Sequence, residues 1–200
     1  MTGIAVQVVH GHPLVDRANE IYQDMLRAAG LGGGASLPAP QGRAPMRTTF
    51  HVAVDADGTA LGVVHVTLGG LEDMHGAALV DPEERLAAPI CEASSISVLP
   101  EATGLGVTEL LYRSVYCFAR RQGAQSLATI VDPMTLELFR ADYGIMFRAL
   151  GPVTGHLGLE LVAAGEEIHT LEDHLRRTRP EFLAFLAEPF TAGERARFGL

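Results

Sequence analysis

The 200-residue sequence contains no lysine: all 15 basic side chains are arginines, and against 24 acidic side chains they give a formal net charge of −9. Without lysine there is no side-chain amine to form a Schiff base with a carbonyl substrate or with pyridoxal phosphate. The ammonium group that contacts nucleotide phosphates in P-loop proteins and kinases is missing for the same reason. Tryptophan is absent as well. Several enzyme classes are thereby excluded.

Cysteine is scarce, and the sequence has neither a basic run nor a long apolar run. Cys91 and Cys117 are too few for a disulfide framework and lack the spacing of a zinc site, which indicates a reducing compartment and no metal site. Because no cationic run could neutralise phosphates, we expect no nucleic-acid partner. The sequence starts without a signal-peptide pattern, and no apolar run is long enough to span a membrane. We therefore expect a cytoplasmic protein.

The composition is typical of a globular protein, with 48% hydrophobic and 20% charged residues. A chain of this length suffices for one core, so we predict a single domain over residues 1–200. The helical spacing of apolar residues over 14–29 predicts an amphipathic helix. The glycine- and proline-rich segment 30–45 predicts a mobile loop. Apolar arms at 50–54 and 61–68, joined by a short turn that contains glycine, predict a β-hairpin.

Residues 90–99 alternate with a period of two, which predicts a β-strand. One predicted face carries Ile90, Glu92, Ser94, Ile96 and Val98, and the other carries Cys91, Ala93, Ser95, Ser97 and Leu99. A carboxylate and hydroxyl groups are unusual inside an apolar strand, so this segment is a candidate for chemistry.

The second half of the chain alternates strands and helices. A helix is predicted between Gly106 and Gly123, and a C-terminal helical extension over 170–200 is predicted from the capping-box-like pair Thr170 and Asp173. The pattern between these two helices predicts a strand at 126–131, a helix at 134–141, and strands at 147–150 and 157–162. This order of elements predicts an α+β fold, a mixed α/β architecture.

The junction between the strand at 90–99 and the following helix contains Pro100, Gly104 and Gly106. Glycines at such a junction let successive backbone N–H groups point into one concavity, to which the helix adds its positive end. This arrangement binds phosphate without lysine. An ordinary glycine turn is the alternative interpretation.

The segment I-S-V-L-P-E-A-T-G-L-G at 96–106, followed by a helix, resembles the acyl-coenzyme A signature of the GNAT superfamily of N-acyltransferases. The order of elements over 48–163 is similar to that superfamily too. The resemblance implies a GNAT-like central twisted, mostly antiparallel sheet with helices on both faces. It also implies that an acyl-CoA or acyl-phosphopantetheine co-substrate is bound by Ile96, Val98, Thr103, Gly104, Leu105, Gly106 and Val107.

Within the superfamily, the segment 91–95 resembles the E-x-S-R strand of acyl-homoserine lactone synthases and long-chain N-acyl amino acid synthases. This likeness implies an acyl thioester longer than acetyl, carried on CoA or on an acyl carrier protein, and an amino acid or other small amine as acceptor. The sequence departs from the pattern where Glu101 replaces Gln or Arg, Ser95 replaces Arg, and Phe139 stands near the usual Tyr. An acetyl-CoA-dependent N-acetyltransferase and a non-catalytic ligand- or protein-binding module are therefore alternatives.

Acyl transfer to an amine requires removal of the amine proton and stabilisation of an oxyanion. We assign Glu92 as the general base, acting directly or through water, and Ser94 as a residue that orients acceptor or water. Tyr143 is the nearest phenol for protonating the leaving thiolate. The resemblance implies an oxyanion donor among the backbone N–H groups near Ile96 to Val98. A hydrogen-bonded structural carboxylate is the alternative for Glu92, and Cys91 is expected to be a buried hydrophobe rather than a nucleophile.

Two arginine clusters are candidate docking sites for an acidic acyl carrier protein. The clusters are Arg120 with Arg121, and Arg176, Arg177 and Arg179. A solvated helical face is the alternative for each.

Overall fold

The computed structural model describes residues 3–9, 13–28, 47–156 and 159–200. The loop predicted at 30–45 lies outside the described residues. The strands are β1 (Ala5–Val9), β2 (Arg47–Val54), β3 (Ala60–Gly69), β4 (Ile90–Val98), β5 (Ser126–Val131), β6 (Arg148–Ala149), β7 (Thr154–His156) and β8 (Leu159–Glu167). The helices are α1 (Pro13–Ala28), α2 (Val107–Gln122), α3 (Pro133–Leu138), α4 (Ile168–Thr178), α5 (Pro180–Ala187) and α6 (Ala192–Phe198).

The described strands form a sheet in the order β1-β2-β3-β4-β5-β8-β6, with β7 paired to β8. Every pairing is antiparallel except that of β4 with β5. Helix α1 packs Ala18 and Ile21 on one face of the sheet, against β2 and β3. Helices α2, α4 and α5 contribute to the larger core on the other face. The predicted α+β architecture, a mostly antiparallel sheet with helices on both faces, is therefore confirmed.

The β2–β3 hairpin forms because its arms are rich in Val and Thr and its turn is fixed by Asp55. The Asp55 side chain accepts hydrogen bonds from the backbone N–H groups of Asp57 (2.9 Å) and Thr59 (2.8 Å). Gly58 has a φ of 81°, which an L side chain rarely adopts. The predicted hairpin is confirmed.

Strand β4 contains a β-bulge that the sequence pattern did not predict. Ser94 pairs with His65 of β3 and Ser97 pairs with Val63, so three steps along β4 match two along β3. One extra residue exchanges the two faces of the strand. The prediction that Ile96 and Val98 share a face with Glu92 is therefore wrong: Ile96 and Val98 pack with the α2 core instead.

The C-terminal helices begin earlier than predicted. Helix α4 begins at Ile168, so the start predicted from Thr170 and Asp173 is wrong. Ile168 is buried, and its N–H donates to the carbonyl of Gln125 (2.8 Å), which anchors the first turn by packing rather than by a cap. A separate helix, α5, begins at Pro180. No helix in the described part of the chain is long and apolar enough to cross a membrane.

Candidate active site

Glu92 lies on β4 with 1% of its surface exposed, beneath the segment that connects β3 to β4. Its Oε2 accepts from the backbone N–H of His75 (2.8 Å) and lies 3.1 Å from His75 Nδ1. Its Oε1 accepts from the N–H of Gly76 (2.9 Å). A Cβ on residue 76 would lie 2.9 Å from Ile130 Cγ1 and 3.2 Å from Glu92 Oε1, so glycine is what allows this backbone to approach the carboxylate.

Two further polar residues extend this cluster along the same face of the sheet. His65 Nδ1 lies 3.1 Å from Ser94 Oγ, and the rings of His65 and His75 are edge to face with centroids 5.0 Å apart. Burial and, to a smaller extent, His75 lower the pKa of His65 to about 4, while Glu92 acts in the opposite direction. The structure thus brings Glu92 and Ser94 together as the sequence predicted, and adds two histidines.

The sequence did not single out His75, because it lies in a connection without periodicity. Two 3₁₀ turns, Leu71–Asp73 and His75–Leu79, fold this connection back over β4. A His-Gly dipeptide in a loop is a weak signal, and only the three-dimensional path of the segment places it on Glu92.

An enclosed apolar cavity of about 60 Å³ lies on the opposite face of β4. It is lined by side chains of β4, β5, α2 and the C-terminal helices, including Ala93, Ile96, Tyr112, Thr129, Phe139, Leu171 and Leu186. The β4–β5 pairing ends at Ala93 and Thr129, whereas the two strands continue to Val98 and Val131. Thr129 Oγ1 donates to the carbonyl of Ala93 (2.8 Å) at this last pair.

A larger and more open cavity, about 400 Å³, lies on the Glu92 face. Its lining residues all come from the connection between β3 and β4, and among them are His75, Glu72, Asp81, Glu84 and Arg85. The Arg85 guanidinium donates to the carbonyls of Pro82 and Glu84 (both 2.6 Å). The carboxylates of Glu72, Asp81 and Glu84 therefore outnumber the one guanidinium group, that of Arg85, among the lining residues of this cavity.

The turn before α2 presents backbone N–H groups at the start of a 16-residue helix. Gly104 and Gly106 have φ values of 80° and 78°, and no side chain caps the helix. The amides of Thr103 and Leu105 already donate to carbonyls within the turn, at 3.2 Å each. The amides of Thr103 and Leu105 are therefore already engaged, and a phosphate contact by Gly104, Gly106 and Val107 stays a prediction. Glu101 is exposed beside them.

Tyr143 lies apart from the Glu92 cluster, in the helical turn Phe139–Tyr143. Its hydroxyl donates to Glu109 Oε1 (3.0 Å), and its ring packs on Tyr112 with centroids 5.2 Å apart. Burial and then the bond to Glu109 raise the pKa of Tyr143 to about 12, so it is a weak proton donor. Tyr143 lies near the apolar cavity, because its ring packs on Tyr112 and Tyr112 lines that cavity. The assignment of Tyr143 as the acid stays a prediction.

The arginine clusters are largely engaged within the chain. Arg120 lies 3.1 Å from Glu172 and donates to the carbonyl of Phe198 (2.8 Å). Arg121 Nε donates to Glu194 (2.7 Å). In the second cluster, Arg176 donates to Asp173 (2.6 Å) and Arg179 donates to the carbonyl of Ala141 (2.8 Å). Arg177 is exposed. These contacts attach the C-terminal helices to the rest of the molecule.

Cys91 is fully buried, as predicted, and burial followed by the charge of Glu92 raises its pKa to about 12. A thiol in that environment is not a nucleophile at neutral pH. Within residues 3–9, 13–28, 47–156 and 159–200, no three His, Cys, Asp or Glu side chains are grouped so that they could hold a metal ion.

No protein-family model and no curated protein sequence matches the chain. Solved structures match its fold. FeeM, an N-acyl amino acid synthase from uncultured soil microbes, is 11% identical, with a TM-score of 0.61 over 87% of this chain and 96% of its own. BjaI, a CoA-dependent acyl-homoserine lactone synthase solved with SAM and isopentyl-CoA, is 14% identical, with a TM-score of 0.68 over 98% and 99%. TofI, solved with an inhibitor and MTA, is 18% identical, with a TM-score of 0.60 over 90% and 98%. The chain therefore shares its fold with solved N-acyl amino acid and acyl-homoserine lactone synthases, which agrees with the fold expected from the resemblance at residues 96–106.

Proposed function

We propose that the protein is an N-acyltransferase that moves an acyl group from a thioester to the amine of a small acceptor by direct attack. One observation carries the proposal: an apolar cavity and a buried carboxylate–histidine cluster lie on opposite faces of β4, both next to the point where the β4–β5 pairing ends. An acyl chain on one side and an amine on the other would bring their reactive atoms together at that gap.

The donor is proposed to place its acyl chain in the apolar cavity and its phosphate at the start of α2. The cavity is small, at about 60 Å³, which favours a short acyl chain over a long one. The exposed carboxylate of Glu101 disfavours a pyrophosphate, so the single phosphate of a carrier-bound phosphopantetheine is favoured over CoA. The small cavity equally supports the alternative of an acetyl-CoA-dependent enzyme.

The acceptor is proposed to occupy the 400 Å³ cavity beside His75. Its amine nitrogen attacks the thioester carbonyl carbon and forms a C–N bond, and the carbonyl oxygen becomes an oxyanion. The β4 bulge supports the assignment of a backbone N–H near Ile96 as oxyanion donor, because the register between β3 and β4 shifts between Val63 and His65, which disrupts the ladder next to Ile96. The C–S bond then breaks, the thiolate leaves, and the amine proton passes to the Glu92 cluster.

A panel of acyl thioesters and amines, read by thiol release and by product mass, tests the proposal. We expect transfer by the wild type, with kcat/KM rising about fourfold for each methylene group that fits the cavity, equivalent to about 0.8 kcal/mol. Glu92→Gln should lower kcat at least about 100-fold, because it disrupts the cluster that takes up the amine proton. The matched control is Glu181→Gln, which removes an exposed carboxylate from α5 and should leave kcat unchanged.

The outcomes separate the alternatives. A rate that is highest with acetyl and falls with every longer chain identifies an acetyltransferase. No transfer with any pair, together with binding of a thioester, identifies a non-catalytic binding module. Full activity of Glu92→Gln would remove Glu92 from the reaction.

A further inference from the structure

Glu92 is poorly suited to take a proton itself. Its two oxygens accept two backbone N–H bonds, at 2.8 and 2.9 Å, and Oε2 also lies 3.1 Å from His75 Nδ1. Hydrogen bonds of this kind occupy the lone pairs that a proton would need. With 1% of its surface exposed, Glu92 also has little access to an acceptor.

The same bonds fix the chemistry of His75. An ionised carboxylate can only accept, so the 3.1 Å contact makes Nδ1 the protonated nitrogen of the ring. The lone pair of a neutral His75 is then on Nε2, as in a carboxylate-oriented histidine base. The His75 side chain is 12% exposed and lines the 400 Å³ cavity, so this residue borders on both Glu92 and the space proposed for the acceptor.

We propose that His75, and not Glu92, is the general base: Nε2 receives the proton of the attacking amine while Glu92 orients the ring and stabilises the imidazolium. This assignment deepens the proposed acyl transfer and rests on it. As the C–N bond forms, the amine N–H bond breaks and its proton moves to Nε2. As the C–S bond breaks, its electron pair leaves on sulfur, and the imidazolium returns its proton to the thiolate or to water.

The surroundings of His75 are compatible with a positive ring. His65 on β3 faces it and is neutral at physiological pH, because burial lowers the pKa of His65 to about 4. Glu92 on β4 is in direct contact, and Glu72, Asp81 and Glu84 line the same cavity opposite a single guanidinium group, that of Arg85. Carboxylates therefore outnumber cationic groups around His75.

Comparing His75→Asn with Glu92→Gln tests this assignment. The asparagine amide can still donate to Glu92 Oε2 but has no basic lone pair, so it preserves the orientation of Glu92 and removes the base. We expect His75→Asn to lower kcat at least about 100-fold, with donor binding measured by thermal stabilisation unchanged. The control is His169→Asn, on an exposed ring at the start of α4, which should leave kcat as in the wild type.

Chemical rescue by added imidazole supplies a second measurement. It would show no effect if His75 had only a structural role. Added imidazole should raise kcat of His75→Ala at least about tenfold in a saturable manner, because the adjoining cavity admits a free ring, and it should not rescue Glu92→Gln. If His75→Asn keeps kcat within a few fold of the wild type, or imidazole rescues nothing, His75 is not the base, while transfer by the wild type still supports the proposed function. If the wild type transfers no acyl group, both proposals are overturned.

Discussion

His65 is a buried histidine whose protonation works against the folded state. Its folded pKa is about 4, against about 6.5 for an unperturbed histidine. The unfolded chain therefore binds a proton between these two pH values that the folded protein does not bind. The stability that neutral His65 contributes is complete above pH 6.5 and is lost as pH falls toward 4.

We expect the free energy of unfolding, measured with urea, to fall by up to about 3 kcal/mol from this residue alone between pH 7 and pH 4. His65→Asn keeps an N–H for Ser94 Oγ and cannot titrate, so its free energy of unfolding should fall less over the same range. Parallel losses in the variant and the wild type would contradict the lowered pKa.

The predictability of individual site residues follows from where they lie. Glu92 and Ser94 are visible in the sequence because a carboxylate and a hydroxyl interrupt an apolar strand. His75 cannot be recognised in the sequence in this way, because its proposed function depends on two turns that fold over β4 and on the glycine at the next position. Contacts between a loop and a strand leave no periodicity to detect.

At the scale of elements, the site depends on how closely the His75–Leu79 turn approaches β4. Gly76 has no positive φ, so the requirement for glycine there is one of space rather than of backbone conformation. The approach lets two consecutive amides reach a single carboxylate. A change in this distance would alter the orientation of Glu92 and His75 together.

Gly76→Ala tests this dependence. The added methyl would contact Ile130 at 2.9 Å, which should push the turn outward, lower the free energy of unfolding by about 1–3 kcal/mol and lower kcat at least about tenfold. Gly193→Ala in α6 is the control, because its added Cβ meets nothing within 4 Å and a helical alanine is favourable. Wild-type kcat in Gly76→Ala would show that the close approach is not needed.

The elements themselves were predictable to different degrees. The β2–β3 hairpin, α2 and β5 carry strong local patterns and ended close to the predicted positions. The β4 bulge was not predictable, because the register is set by the pairing with β3 rather than by β4 alone. The start of α4 was misplaced because burial of Ile168 outweighs the capping pattern two residues later.

At the scale of the whole molecule, the net charge of −9 matters for both substrates. An anionic CoA thioester is repelled by the summed field, whereas a cationic amine is attracted to it. The arginines that could offset the repulsion locally are mostly paired within the chain, as Arg120 is with Glu172.

We expect kcat/KM for an acyl-CoA to rise severalfold between about 0.01 M and about 0.1 M salt, where the Debye length falls from about 30 to about 10 Å. The corresponding acyl-pantetheine lacks phosphate and should show no such rise. A kcat/KM for acyl-CoA that falls with salt would instead indicate a local cationic site for the donor.

In the proposed reaction, the two faces of β4 separate the selection of the donor from that of the acceptor. Leu171 and Leu186 lie on the acyl side, whereas Glu72 and Asp81 lie on the amine side, and the two sets share no cavity. Substitutions at distant sites without common partners combine additively. A lineage of such enzymes could therefore exchange one substrate while keeping the other, and libraries built on the two sets could be screened independently and then combined.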